Sequence, residues 1–411
     1  MRRPPLPSKP QHTAMHNFEP TLEAALARLS AVQPDLYART RNALNGAVTR
    51  LSPYLTHGIL SLREVYDAVH ARQPLDAQHK FLFELGWRAY WHHVWRHRGD
   101  GIHRSLHAGV LPDDAYQTAL PTDILEARTG IPVIDHAVRE LYATGYVHNH
   151  ARMWLASYCV HLRKVHWHAG AQWMLSHLLD GDVASNHLSW QWVAGTGSSK
   201  PYLFNAANVA QFAPADWHSP GTLIDTTYEA LDQLARQPTV AQHRTGPGDA
   251  PAATIAPAAL GHPSDTVWSA PDHTGVAGRD VWLLHPWSLR AIPPASPGEM
   301  LCIGVGLTEC HTQTPWSERR WRFVTQGLQA HADRLWWGSA QQVAEALRGA
   351  RSVAWYADPH AAVGLDALQA QWTGHASHPI ATAQPQPCLF APVPNYCPSF
   401  SLWWRSTQIA R

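Results

Sequence analysis

The sequence predicts a mainly α protein in two parts: an all-helical domain first and, behind a linker, a smaller C-terminal α/β domain. Three observations carry this reading. Through residues 20–214 apolar side chains recur at helical spacing, with no convincing strand-like run among them. Residues 215–278 then thin into alanine, proline and glycine, a linker composition. Beyond them short apolar runs alternate with helical stretches, as in a parallel sheet with crossover helices. The expected divisions are an N-terminal arm (1–19), the helical domain (20–214), the linker (215–278) and the α/β domain (279–411).

Composition narrows the class. The chain has 411 residues, 45% hydrophobic and 15% charged, which suits a folded globular protein with two sizeable cores. No apolar run reaches membrane-spanning length. The opening MRRPPLPSKP has arginines but no apolar stretch behind them, so no secretory signal is expected. Five cysteines without a C-x-x-C argue against a zinc site, a cluster site or a disulfide framework, and a cytoplasmic monomer is expected. Net charge is only +1, but residues 1–214 carry 20 Lys+Arg against 16 Asp+Glu and 18 of the 28 histidines. That allows a nucleic-acid groove without requiring one. Twenty tryptophans suit either a Trp-rich core or stacking and electron relay.

The elements follow in order. KFLFELGWRAYWHHVWRH (80–97) reads as a helix. PVIDHAVRELYATG (132–145) reads as another, with Pro132 in its first turn, an apolar stripe of Val133, Ile134, Ala137, Val138, Leu141 and Tyr142, and Gly145 to end it. HNHARMWLASYCVHLRKV (148–165) follows as a third. One helix is expected in the linker, from Asp225 to Gln237, and AQHRTGPGDAPAATIAPAALGHPSD is expected to be extended. The strands expected are DVWLLHP (280–286), MLCIGVG (300–306), DRLWWG (333–338) and SVAWYAD (352–358), with SERRWRFVTQGLQAHA and SAQQVAEALRGA as helices between them.

Polar residues then recur on single helix faces. In LLDGDVASNHLSWQW (178–192), Asp182, Asn186 and Trp190 are spaced four apart and stack along one face. Such a row is either a buried polar contact under a tryptophan or the wall of a cofactor pocket. Glu84, Trp87, Arg88 and Trp91 form a second set, and Asn149, Arg152, Met153 and Ala156 a third. The histidines of HHVWRH (92–97) are expected on the surface rather than on a metal, with no carboxylate at a matching offset. No metal site is expected.

TRLSPYLTHGILS (49–61), FELGWRAYW (83–91), TGIPVIDHAVRELYATGYVHNHARM (129–153) and LLDGDVASNHLSWQWVAGTG (178–197) together resemble the flavin-binding helical domain of the DNA photolyase/cryptochrome family. The resemblance runs in order over about residues 36–205 and implies FAD as cofactor. By it, Asn186 faces the flavin N5, Asp180 and Asp182 flank the ring system, and Arg152 pairs with Asp180. Trp190 and Trp167 take the first two places of an electron-transfer chain. Thr49, Arg50, Leu51 and Ser52 match the loop that holds the FAD phosphates, although a Ser/Thr pair before a helix also serves as an N-cap. Tyr37 and Arg88 match flavin-site positions.

The resemblance also implies a substrate cavity. Glu84 stands for the carboxylate that meets a pyrimidine dimer, Trp87 and Trp192 for its aromatic walls, Met153 for an apolar contact. Asn149, at the border of cofactor and substrate, matches the pattern for cyclobutane dimers. His148 and His150 are expected at the surface or facing DNA. Three departures stand out. The α/β segment comes last rather than first, and whether it carries a second, antenna chromophore is open. The third electron-chain position offers only Tyr116, with Trp154 and Trp173 as alternatives. After AGTG only Lys200 replaces an expected arginine, which weakens the grip on phosphate. The function implied is light-driven repair of pyrimidine dimers in DNA, single-stranded or duplex. The rivals are a cryptochrome-like photoreceptor that binds FAD without repair and a repair enzyme specific for single strands.

Overall fold

A computed structural model describes residues 17–240, 255–290, 300–372 and 379–410. The expected arm up to residue 16 and the Ala/Pro-rich stretch 241–254 lie outside the described residues. The first half consists of helices α1 (Leu22–Ser30), α2 (Pro34–Thr40), α3 (Ser52–Thr56), α4 (Leu62–Arg72), α5 (Lys80–Arg98), α6 (Thr122–Leu125), α7 (Pro132–Thr144), α8 (Asn149–Ser157), α9 (Trp167–His177), α10 (Val183–Ala194), α11 (Ala206–Phe212) and α12 (Tyr228–Ala235). Local chemistry explains their ends. Pro132 occupies the first turn of α7, where its missing N–H costs nothing, and Gly145 stops it at φ +69°, a conformation that an L side chain resists. Ser61 and Glu64 form a reciprocal cap on α4. α8 runs into a π-helical turn, Tyr158–Leu162, which separates it from α9. The helix expected over Asp225–Gln237 is α12, capped by Thr227.

The second half holds strands β1 (Leu260–Gly261), β2 (Asp280–Leu284), β3 (Met300–Leu307), β4 (Trp316–Ser317), β5 (Arg334–Gly338), β6 (Ser352–Tyr356) and β7 (Ile380–Gln384), with helices α13 (Glu318–Gln329), α14 (Ala340–Ala346), α15 (Ala362–Ala370) and α16 (Phe400–Ser406). Five strands form a parallel sheet in the order β5-β3-β2-β6-β7. The order reverses between β2 and β6, which is the switch point where sheets of this type open a crevice at the carboxyl ends of their strands. β7 escaped the sequence reading because IATAQ is short, polar and half exposed, as an edge strand can be. Ile255 N donates to Glu126 O of the helical half, and contacts with the α/β half follow from residue 260: β1 pairs with β4, Trp268 Nε1 donates to Thr325 Oγ1 at 2.9 Å, and Ser269 N donates to Leu335 O.

The apolar core does not divide at the linker. One cluster joins Tyr54, Val65 and Leu82 of the helical half to Leu284, Val305 and Phe323 of the α/β half. A second, around Ile134, Trp154 and Leu178, lies wholly between helices. Burial across that first cluster is what fixes the sheet against the back of α3–α5.

Candidate functional site

Two adjoining cavities open between α2, α3, α5, α8 and α10. The larger, about 290 Å³, is lined by Tyr37, Arg41, the 49–52 loop, Glu84 and Arg88. The smaller, about 90 Å³, is lined by Arg152, Asp180, Asp182, Ser185, Asn186 and Trp190. Asn149 and Met153 border both, so the two form one cleft. Tyr37, Thr49, Arg50, Leu51, Ser52, Glu84, Arg88, Asn149, Arg152, Met153, Asp180, Asp182, Asn186 and Trp190 therefore meet around one space.

Charge is organised at its floor by the acidic strip. Arg152 Nη2 donates to both Asp180 oxygens, at 2.9 and 2.8 Å, and Ser52 Oγ donates to Asp180 Oδ2 at 2.6 Å. Ser52 is thus spent on the strip, and α3 has no side-chain N-cap. Asp182 caps α10 by accepting from Ser185 N at 2.7 Å. It also meets Arg88 Nη2 at 3.1 Å and His92 Nε2 at 2.7 Å. Burial opposes its charge, but Arg88, His92 and His360 outweigh that and hold its carboxyl well below the usual range. Asn186 Nδ2 donates to Ala171 O at 2.8 Å, which leaves Oδ1 for a ligand donor. Glu84 bonds Arg41 Nε at 3.2 Å, and burial raises its carboxyl above the ordinary range against the pull of that arginine. The Arg152 and Arg50 guanidinium groups lie 5.4 and 6.0 Å from the Tyr146 ring.

The α/β half closes the strip from behind. Arg320, 1% exposed, donates Nη1 to Leu175 O at 2.8 Å and Nη2 to Gly181 O at 2.7 Å. A Cβ on Gly181 would lie 2.4 Å from Arg320 Nη1, so the glycine between the two aspartates is required by this close approach. His360, at the carboxyl end of β6, sits between two acids: Nδ1 is 2.8 Å from Asp358 Oδ1, and Nε2 is 3.3 Å from Asp182 Oδ2. Nε2 is also 3.1 Å from Val183 N, a contact that only a neutral ring could accept. Burial opposes the charged ring, but the Asp358 and Asp182 carboxylates together exceed one amide dipole and raise it to about 9, so the charged form prevails.

Some expected residues lie elsewhere. Trp87 is outside the cleft lining, its ring stacked on Phe400 of α16 at 4.1 Å and 11°. Trp192 is 38% exposed, beside Tyr202. His148 and His150 are buried, not surface groups: His148 Nδ1 caps α8 by accepting from His150 N, and the His150 ring is held by Asn42 O and Tyr202 Oη. His93 is buried and accepts from Cys397 N, while His92 reaches Asp182. A neutral imidazole packs like an apolar ring while satisfying a polar neighbour, and that is why these histidines read as surface groups. Trp167 is buried with Nε1 on Ser105 Oγ at 3.0 Å. Tyr116 reaches it through His166, whose ring is 6.2 Å from Tyr116 and 5.7 Å from Trp167. Trp154 and Trp173 pack instead with His150 and Phe204, and with Tyr142 and His177. Arg41, Tyr146, Arg320 and His360 were missed. His92 had a signal, standing four residues after Arg88 and eight after Glu84.

Ser185 Oγ, lining the smaller cavity, is buried without a protein partner, and a polar ligand edge would satisfy it. With Asn186 Oδ1 and the Arg152 guanidinium nearby, the donor set fits a flat heterocycle that carries amide-like edges and negative charge. The class is that of a helical flavin-binding domain: residues 81–248 match the family model for the FAD binding domain of DNA photolyase. Over residues 81–248 the helical half is therefore similar to the FAD binding domain of DNA photolyase, and the lining of its cleft fits FAD as the cofactor. The chain is 37% identical over 155 residues to a deoxyribodipyrimidine photo-lyase of Streptomyces griseus, covering 37% of this chain and 33% of that one. It is 33% identical over 169 residues to a cryptochrome DASH of Gloeobacter violaceus, covering 39% and 34%. The match therefore spans about a third of each of these relatives. A Synechocystis cryptochrome structure aligns over 54% of this chain and 53% of its own, at 25% identity and TM-score 0.44. Among the described residues no helix is long and apolar enough to cross a membrane.

Proposed function

We propose that the protein is a light-driven repair enzyme for cyclobutane pyrimidine dimers in DNA. The observation that carries this reading is the cleft itself, in which Glu84, Asn149 and Met153 stand beside the Arg152–Asp180 pair and Asn186. FAD held by these residues would supply light-driven one-electron chemistry next to the dimer. The chain's own residues bind and orient. Arg152 and Arg88, each tied to an aspartate, offset negative charge without giving up a proton. Asn186 and Ser185 present hydrogen-bonding atoms to the flavin edge, and Thr49, Arg50, Leu51 and Ser52 form the phosphate loop. Glu84, whose carboxyl burial pushes above the ordinary range, is placed to hydrogen-bond a pyrimidine. Met153 excludes water between the two. Trp190 and Trp167, with Tyr116 beyond, would serve as a route for electrons to a flavin held in the cleft.

A specific observation favours a second reading, a photoreceptor without repair. Trp87, which the repair reading needs as an aromatic wall, lies outside the cleft lining with its ring stacked on Phe400. The test is repair: the reduced protein is given an oligonucleotide bearing one cyclobutane thymine dimer, single-stranded or duplex, in blue light and in darkness. Light-dependent reversal is expected, more efficient on the single strand because Lys200 alone serves the phosphate position. No reversal on either strand, with FAD bound and reduced, would transfer the assignment to the photoreceptor.

A further inference from the structure

We propose that His103, His168 and His187 form a binding site for a divalent transition-metal cation, with zinc the best match to their ligand chemistry. One ring nitrogen from each lies within 4.8 Å of the other two. Ring centroids are 4.9 Å apart for His103–His187, 5.5 Å for His168–His187 and 5.9 Å for His103–His168. The residues come from three elements: the end of the 3-10 turn Gly99–His103, the first turn of α9 and the middle of α10. No sequence spacing announces them.

His187 makes this a built site. Its side chain is fully buried, and Nδ1 donates to Val183 O at 3.1 Å, one turn earlier. That bond fixes the tautomer and leaves Nε2 as a buried lone pair with no partner. A metal-bound imidazole is held in the same way, one nitrogen on a backbone carbonyl and the other on the ion. Tetrahedral coordination at about 2.0–2.1 Å places ligand nitrogens roughly 3.3 Å apart. His103 and His168 are only partly buried and have room to close that distance. Three imidazoles without a carboxylate suit zinc, copper, nickel or iron over calcium or magnesium, and they leave a fourth position open.

The site stands independently of the proposed repair activity. Filled, it sets two positive charges beside Trp167, whose ring is 6.2 Å from that of His187, and raises the cost of removing an electron from that indole.

The experiment uses the untagged full-length protein, freed of metal by chelation and titrated with Co²⁺ and then Zn²⁺. Binding is followed by visible absorption beyond the flavin bands and by bound metal per chain. One equivalent of Co²⁺ with an intense four-coordinate spectrum, displaced by Zn²⁺, is expected. His168→Gln and His103→Gln each remove a ligand while sparing the buried ring, and each should weaken binding by at least about tenfold, since even an outer-shell partner accounts for that much. His136→Gln, a histidine stacked on Trp217 away from the cluster, should change nothing. Absence of a stoichiometric site, or equal affinity in parent, His168→Gln and His103→Gln proteins, would overturn the proposal.

Discussion

His360→Gln removes an imidazole that ties the sheet to the acidic strip, and its effect should depend on pH with a definite sign. The ring is raised from an ordinary 6.5 to about 9 in the fold. A group whose folded value exceeds its unfolded one stabilises fully below the unfolded value and loses that contribution as pH rises through the folded value. The window therefore runs from pH 6.5 to just above 9. A shift of this size corresponds to about 3 kcal/mol, with a slope approaching about 1.4 kcal/mol per pH unit. Lys164, which burial lowers from 10.5 to about 8, titrates over a window that overlaps this one only in part and with the opposite sign, but it is common to both proteins and cancels in the difference. Urea unfolding of the parent and His360→Gln proteins at pH 6.5 and 9.5 should show the parent losing about 3 kcal/mol more than the variant. Parallel pH profiles would refute the charged ring and return Nε2 to the Val183 N–H.

Asp180→Asn breaks the two-pronged Arg152 pair and weakens the Ser52 bond. Flavin affinity should fall by at least about tenfold, since a charge-assisted hydrogen bond contributes about 1.5–3 kcal/mol; unaltered FAD content on purification would contradict this. Gly170→Ala places a Cβ 2.3 Å from Cζ3 of Trp190, a clash in a buried region. It should cost about 1–3 kcal/mol of stability and slow photoreduction while FAD content is kept; a rate equal to the parent's, set against Trp190→Phe as the comparison, would remove Trp190 from the route. Phe400→Ala uncovers Trp87. If the repair reading holds, binding of dimer-containing single strands should tighten several-fold, and unchanged affinity would count against Trp87 as a substrate wall.

Much of the helical half was legible because its signals are local. The α7 stripe, its proline and its terminal glycine lie within fourteen residues, and the periodicity that defines α5 also aligns Glu84 with Arg88. The Arg152–Asp180 pair could be anticipated only through the family resemblance, and it formed. The rest depends on contacts that no window sees. Arg320 and Gly181 are 139 residues apart, and His360 and Val183 are 177 apart. The glycine between Asp180 and Asp182 answers to two contacts, the Leu175 carbonyl six residues earlier and a guanidinium from α13, and only the second is beyond any local window. Trp87 kept the helical spacing of a pocket residue, but its ring face went to Phe400, a partner more than three hundred residues further on. His148 and His93 were misplaced because polarity alone cannot distinguish a solvated imidazole from a buried one that caps a backbone amide.

The back of the acidic strip carries a consequence for how the molecule is made. Synthesis proceeds at about 5–20 residues per second, so Arg320 follows Gly181 by roughly 7–28 s. Throughout that interval the Leu175 and Gly181 carbonyls have only water to accept from, and Asp182 lacks His360. The newborn helical half has its cleft outlined but not braced, and a flavin arriving then meets a softer wall than the finished chain presents. The wall behind the acidic strip is complete only once the α/β half has been made.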